Sequence, residues 1–157
     1  MIAVGQKLPE GVLAELSAEG MTQHQVRELF AGKRAVLFAV PGAFTPTCSE
    51  THLPGYVVYA DQLKAKGVDL IACVSVNDAF VMRAWGKANN AEALTMLADG
   101  DGSFAKSLGL TMETAGFGGT RSQRYAMVID NGVVTALFVE PEKQFGISSA
   151  EAVLATL

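Results

Sequence analysis

The sequence predicts an α/β fold, a mixed β-sheet flanked by helices on both faces, and three local patterns carry that prediction. Residues 35–40 (Ala-Val-Leu-Phe-Ala-Val) form a short continuous apolar run stopped by Pro41-Gly42, as a buried strand should be. A helical stretch and a second apolar run over 68–76 follow, which together make a right-handed unit of two parallel strands joined by a helix. Near the end, Tyr125–Asp130 and Val133–Val139 flank Asn131-Gly132, the strongest short signal for an antiparallel hairpin.

The other elements follow in chain order. The first helix covers residues 49–64, with Leu53, Val57, Ala60 and Leu63 near helical spacing; Pro54-Gly55 kinks or interrupts it and Gly67 ends it. Asn77 is the N-cap expected for a helix over 78–88 that turns Phe80, Ala84 and Trp85 inward. Residues 92–98 read as a short strand before the turn-rich Asp99-Gly100-Asp101-Gly102. Ser148 or Ser149 caps a final helix through Leu157, with Glu151 in its first turn. No repeat, low-complexity tract or linker divides the chain, so residues 1–157 read as a single domain. This order is the thioredoxin-like topology, with additions at the N-terminus and between the halves. The alternative is a flavodoxin-like parallel sheet, and the Asn-Gly hairpin argues against it.

Composition narrows the function. Half of the residues are apolar, and 12 Lys+Arg against 16 Asp+Glu give a formal charge of −4. A mildly acidic chain with no basic run is a poor nucleic-acid or anionic-membrane binder. No apolar stretch approaches the roughly 20 residues of a membrane helix, and the first residues lack a signal-peptide pattern. The expectation is a cytoplasmic protein in a reducing compartment. Two cysteines are too few for a disulfide scaffold or a four-thiolate zinc site, and the histidines and carboxylates show no metal-ligand spacing. No metal or other cofactor is expected.

Pro41-Gly42-Ala43-Phe44-Thr45-Pro46-Thr47-Cys48 joins the first buried strand to the first helix. A cysteine there meets the unpaired N–H groups and positive dipole end of a helix, which favour the thiolate, the form that attacks. A loop cysteine of no consequence is the plainer reading. Thioredoxin-type oxidoreductases hold Cys-x-x-Cys at this turn. Here Thr45 replaces the first cysteine, and a hydroxyl cannot exchange disulfides but can bond a small oxygen substrate.

Pro41-x-x-x-Thr45-x-x-Cys48 resembles the peroxiredoxin signature, and the stretch through Ser49-Glu50-Thr51-His52-Leu53-Pro54-Gly55 looks like the type II (atypical) members of the redoxin family. The resemblance continues through residues 73–85 and 124–132 and so covers essentially the whole chain. It implies a thiol-dependent peroxidase acting on hydrogen peroxide and small alkyl hydroperoxides through a sulfenic acid on Cys48. In that pattern Thr45 positions the peroxide, Pro41 shields the thiol, the N–H groups of Thr47 and Cys48 bind developing negative charge, and Arg124 completes the site. Phe117 and Phe44 match an apolar pocket wall and rim, and such aromatic residues also serve the homodimer contact expected of the family. Some plant members assign the resolving role to a cysteine where this chain has Cys73, whereas the animal position corresponds here to Ser148. Cys73 is therefore either a resolving thiol or core filler. If it is inert, glutathione with glutaredoxin, or thioredoxin, must reduce the sulfenic acid.

His52, one turn beyond Cys48, is expected at the pocket rim or in support of the site. A Cys–His hydrolase dyad would also use it, but the peroxidatic signature explains the same residues better. His24 reads as a surface residue and Trp85 as core or interface. Glu50 reads as a first-turn carboxylate that suits the helix dipole without a catalytic role, though its charge would oppose a thiolate if it pointed inward. A redox sensor or thiol-dependent chaperone would share the first oxidation step, so that alternative stays open here. A non-catalytic binding module fits the intact signature poorly.

Overall fold

The computed structural model describes residues 1–157. β1 (Val12–Ser17), β2 (Gly20–Gln25), β3 (Arg34–Ala39), β4 (Leu70–Ser75) and β5 (Thr95–Ala98) join β8 (Tyr125–Asp130) and β9 (Val133–Val139) in one seven-stranded sheet. The strand order is β2-β1-β5-β4-β3-β8-β9. β3, β4 and β5 run parallel, while β1, β2, β8 and β9 pair antiparallel. The sheet is mixed, as expected, with the antiparallel edge supplied by the Asn131-Gly132 turn. Both turn residues take positive φ, 49° and 78°, the geometry a two-residue hairpin loop demands.

The central strands explain why their sequences show no alternation. Val36 and Phe38 of β3 enter the core on one face of the sheet with Cys48, Tyr56, Cys73 and Trp85. Ala35, Leu37 and Ala39 enter the core on the other with Ala72, Val74, Leu97 and Phe104. Successive side chains point to opposite faces, so a strand covered on both sides must be apolar throughout.

The expected break in the first helix takes the form of a single π turn, Cys48–His52, that runs directly into α2 (Leu53–Ala65). The Leu53 N–H donates to the Cys48 carbonyl, five residues back. Pro54 has no N–H with which to continue an α ladder into the preceding turn, and the wider turn absorbs the loss. Gly67 ends the segment at φ +91°.

Two expectations for the next helix are corrected. The helix itself, α3, spans Ala79–Ala88, and its N-cap is Asp78, whose carboxylate accepts from the Val81 N–H. Asn77 is occupied elsewhere: its side-chain carbonyl accepts from the Ala43 N–H and the Ser75 hydroxyl. Phe80 and Ala84 are exposed, because the inner face carries Ala79, Met82, Trp85 and Gly86. At about 100° per residue, Phe80 lies roughly 140° round from Trp85 and Ala84 about 100°.

Besides the N-terminal hairpin β1–β2, four regular elements fall where the sequence suggested only turns or unspecified additions. They are α1 (Val26–Leu29), α4 (Ser103–Leu108) and the small antiparallel pair β6 (Thr111–Glu113) and β7 (Thr120–Ser122). The hairpin β1–β2 is the N-terminal addition. α5 (Ala150–Leu154) is capped by Ser149, whose hydroxyl accepts from the Ala152 N–H. Ser148 faces inward and is fully buried.

Candidate active site

The site forms where β3 ends, the π turn begins and β8 starts beside them. The parallel crossover places the loop 41–47 over the end of the sheet, and the antiparallel pairing of β3 with β8 sets Tyr125 opposite Ala39. Arg124, one residue before β8, therefore comes to the same end as Cys48. Its Nη2–H donates to the Cys48 Sγ at 3.0 Å, and its Nη1–H donates to His52 Nδ1 at 2.8 Å.

The proton positions on His52 follow from its neighbours. A guanidinium only donates, so Nδ1 must present its lone pair. Nε2 stands 3.1 Å from the Ser148 carbonyl, which only accepts, so Nε2 carries the hydrogen. The ring is thus neutral, and burial together with the Arg124 charge lowers its pKa from 6.5 to about 3. The Tyr56 hydroxyl donates to the same Ser148 carbonyl at 2.8 Å, and Phe38 stacks on Tyr56 with centroids 3.9 Å apart. Phe145 closes the other side, 4.9 Å from the His52 ring and with the Arg124 guanidinium 5.9 Å from its own centroid. His52 is consequently wholly buried beneath Arg124 and not at the pocket rim, because both ring nitrogens are bonded and three aromatic rings enclose it.

The loop is pinned from within. The Thr45 hydroxyl donates to the Gly42 carbonyl at 2.7 Å, which leaves its oxygen lone pairs as acceptors. The Ser49 N–H donates to the Thr45 carbonyl, and the Trp85 indole N–H donates to the Ser49 hydroxyl at 2.9 Å. The N–H groups of Thr47 and Cys48 have no protein acceptor. A cavity of about 520 Å³ opens here, lined by Pro41, Thr47 and Arg124 together with Gln123, Met112 and the segment 140–145. One guanidinium nitrogen on the sulfur, with a pinned hydroxyl and free backbone donors on the adjoining loop, makes a setting suited to charge developing on an oxygen beside that sulfur.

Phe44 and Phe117 do not line that cavity. Phe44 sits at φ +65° with its side chain exposed. Phe117 projects from a tight turn in which Thr114 bonds Gly119, Phe117 and Gly118, so its ring faces solvent. Glu50 is exposed on the π turn, and His24 pairs with Glu15 across β1–β2 at 2.8 Å. Cys73 is fully buried on β4 opposite Phe38, in the same core as Cys48. Burial, with the charge of Cys48 adding to it, pushes its thiol well above the ordinary range. The sequence reading overlooked Tyr56, Phe145 and Glu140. Glu140 immediately follows β9 and had no motif to mark it.

The Redoxin family matches residues 3–154. Among curated proteins, peroxiredoxin-2C of Oryza sativa subsp. japonica is 50% identical over 159 residues, covering 99% of this chain and 98% of that protein. Peroxiredoxin-2D of Arabidopsis thaliana is 44% identical with the same coverage. Among solved structures, reduced Prx3 of Vibrio vulnificus in complex with H2O2 superposes with a TM-score of 0.98 at 72% identity, covering 99% of both chains. Peroxiredoxin 5 of Alvinella pompejana gives 0.87 at 34% identity, covering 99% of this chain and 97% of that one. The chain belongs to the redoxin family, on the thioredoxin-like fold. Within it the chain is a type II peroxiredoxin, a peroxidase with a redox-active cysteine.

Proposed function

We propose that Cys48 is the peroxidatic thiol and that it passes through a sulfenic acid. The thiolate attacks one oxygen of the hydroperoxide; an S–O bond forms as the O–O bond breaks, the sulfur is oxidised by two electrons, and the departing oxygen takes a proton to leave as water or an alcohol. The Arg124 bond to Sγ at 3.0 Å carries this reading, because a charge-assisted donor aimed at a sulfur favours the anion and, as the reaction proceeds, the oxygens beside it. Thr45 Oγ1 accepts from the peroxide hydrogen while its own O–H stays donated to the Gly42 carbonyl. The free N–H groups of Thr47 and Cys48 bind the leaving oxygen, and Pro41 limits the water that reaches the sulfur. The Vibrio vulnificus Prx3 complex with H2O2 supports hydrogen peroxide as one substrate, and the cavity has room for small alkyl hydroperoxides.

The reductant in this reading is glutathione with glutaredoxin. One glutathione thiol displaces hydroxide from the sulfenic sulfur, giving a mixed disulfide and water, and a second thiol then releases Cys48. Burial of Cys73 in a central strand supports an external reductant, since resolution by Cys73 would require local unfolding. A reducing, cytoplasmic setting and a homodimer complete the proposal. Phe44, Phe80 and Phe117, exposed by 56%, 66% and 75%, offer apolar area for a second copy.

Mass spectrometry of peroxide-treated protein, with and without glutathione, tests the reading. A glutathione adduct confined to Cys48, and steady turnover with glutaredoxin, are expected. A Cys48–Cys73 disulfide as the main product would replace the external reductant with an internal one. Stoichiometric oxidation without turnover would favour a sensor.

A further inference from the structure

One buried carboxylate near the cavity has no part in the chemistry described so far. Glu140 immediately follows β9, and only 7% of its surface is exposed. Its Oε2 accepts from three donors of the loop that crosses the site: the Gly146 N–H at 2.7 Å, the Ser148 N–H at 2.8 Å and the Ser148 hydroxyl at 2.6 Å. Burial opposes its ionisation, but these bonds and the Ile147 N–H outweigh it and hold the carboxyl below the ordinary range. At neutral pH it is a charged acceptor, and charge-assisted bonds are the stronger kind.

What Glu140 holds is the residue on which the site's proton arrangement depends. The Ser148 carbonyl accepts from His52 Nε2–H and from the Tyr56 hydroxyl. That contact fixes His52 in the tautomer whose Nδ1 lone pair faces Arg124, and Arg124 in turn points its second nitrogen at Cys48. Were the 146–148 turn released, Nε2 would lose its acceptor and nothing would specify which ring nitrogen carries the hydrogen. In the other tautomer an N–H on Nδ1 would oppose the Arg124 N–H, and the guanidinium would lose its second anchor.

We propose that Glu140 is a positioning residue for Arg124, acting through Ser148 and His52 to aim the guanidinium at the Cys48 sulfur. The inference rests on Cys48 being the attacking thiol. It predicts an effect on the peroxide step that depends on Arg124 being present, which a mere loop clamp would not produce.

The test is a double-mutant cycle on the full chain, read as the second-order rate of peroxide reduction by stopped-flow fluorescence of Trp85. Its indole N–H bonds Ser49, beside Cys48. Glu140→Ala should slow the reaction about tenfold to a hundredfold, the range a small misplacement of a catalytic group produces. In the Arg124→Ala background the same substitution should change the rate less than about twofold, because non-additivity is the mark of residues acting as one unit. Glu140→Gln, which keeps an oxygen acceptor, should recover part of the loss and also covers the case in which Glu140→Ala does not fold. A rate within threefold of wild type for both variants, or equal slowing with and without Arg124, overturns the proposal. Cys48→Ser serves as the control: retained peroxidase activity there would sink the Cys48 assignment itself, whereas an inactive Cys48→Ser beside an unaffected Glu140 series would remove only the positioning role.

Discussion

The neutral His52 ties stability to pH, and the size of the effect follows from its surroundings. In the unfolded chain the imidazole takes a proton near pH 6.5, whereas in the folded chain burial and the Arg124 charge lower that value to about 3. Between those values the unfolded state binds more protons, so the stabilisation is fully present above pH 6.5 and is lost as the pH falls toward 3. Each pH unit inside the window removes up to about 1.4 kcal/mol, and the full window up to about 5 kcal/mol. Small domains have only about 5–15 kcal/mol in total, so this one ring should dominate early acid destabilisation. Urea unfolding at pH 7.0, 6.0, 5.0 and 4.5 measures it, with His52→Gln as the reference. A Gln side chain presents an N–H donor toward Ser148 and an oxygen acceptor toward Arg124, and it does not titrate. The stability of wild type minus that of His52→Gln should fall by about 1.4 kcal/mol per unit below pH 6. Parallel curves would show that the folded ring takes up its proton over the same pH range as the unfolded one, and the depression by burial and the Arg124 charge would then be wrong.

The other expectations are simpler. Cys48→Ser should abolish peroxidase turnover, while Cys73→Ser should keep more than about half of it with glutathione and glutaredoxin, because a thiol buried in a strand acts as a small apolar side chain; coupled NADPH consumption reads both. Thr45→Val should slow peroxide reduction about a hundredfold with little change in thermal midpoint, since it removes an acceptor from the site but only one partly buried hydroxyl bond from the fold. Thr45→Ser should recover most of that rate. Phe38→Ala should destabilise the protein by about 3–5 kcal/mol in urea titrations, as it empties the fully buried space stacked on Tyr56 and tilted against His52. The same substitution should slow peroxide reduction by disturbing the His52–Arg124 pair.

The active site shows how a π turn and a proline cooperate. Pro54 cannot continue an α ladder backward, so the chain widens at Cys48–His52. That widening sets His52 under Arg124 while Cys48 stays at the start of the helical segment. Of the residues between them, Ser49 turns toward Trp85, and Glu50 and Thr51 toward solvent.

Sequence alone determined the framework of this protein. Residues 35–40 and 68–76 announced strands covered on both faces, Asn131-Gly132 announced the antiparallel edge, and Thr45 and Cys48 stood out in one short motif, whereas Arg124 was marked only by the family resemblance. These signals are local: hydrophobic runs, turn chemistry and one short motif act within a few residues of chain. Tertiary structure decided what joins distant segments. Phe80 competes with Ala79 and Met82 for the inner face of α3, and the packing around Trp85 turned it outward. Asn77 could cap a helix or tie a loop, and the nearness of Ala43 settled the choice. His52 took its proton state from Arg124, 72 residues away, and from Ser148, 96 residues away. A hydrogen bond depends on the position and direction of both partners, and no pattern within one segment encodes where the other will stand.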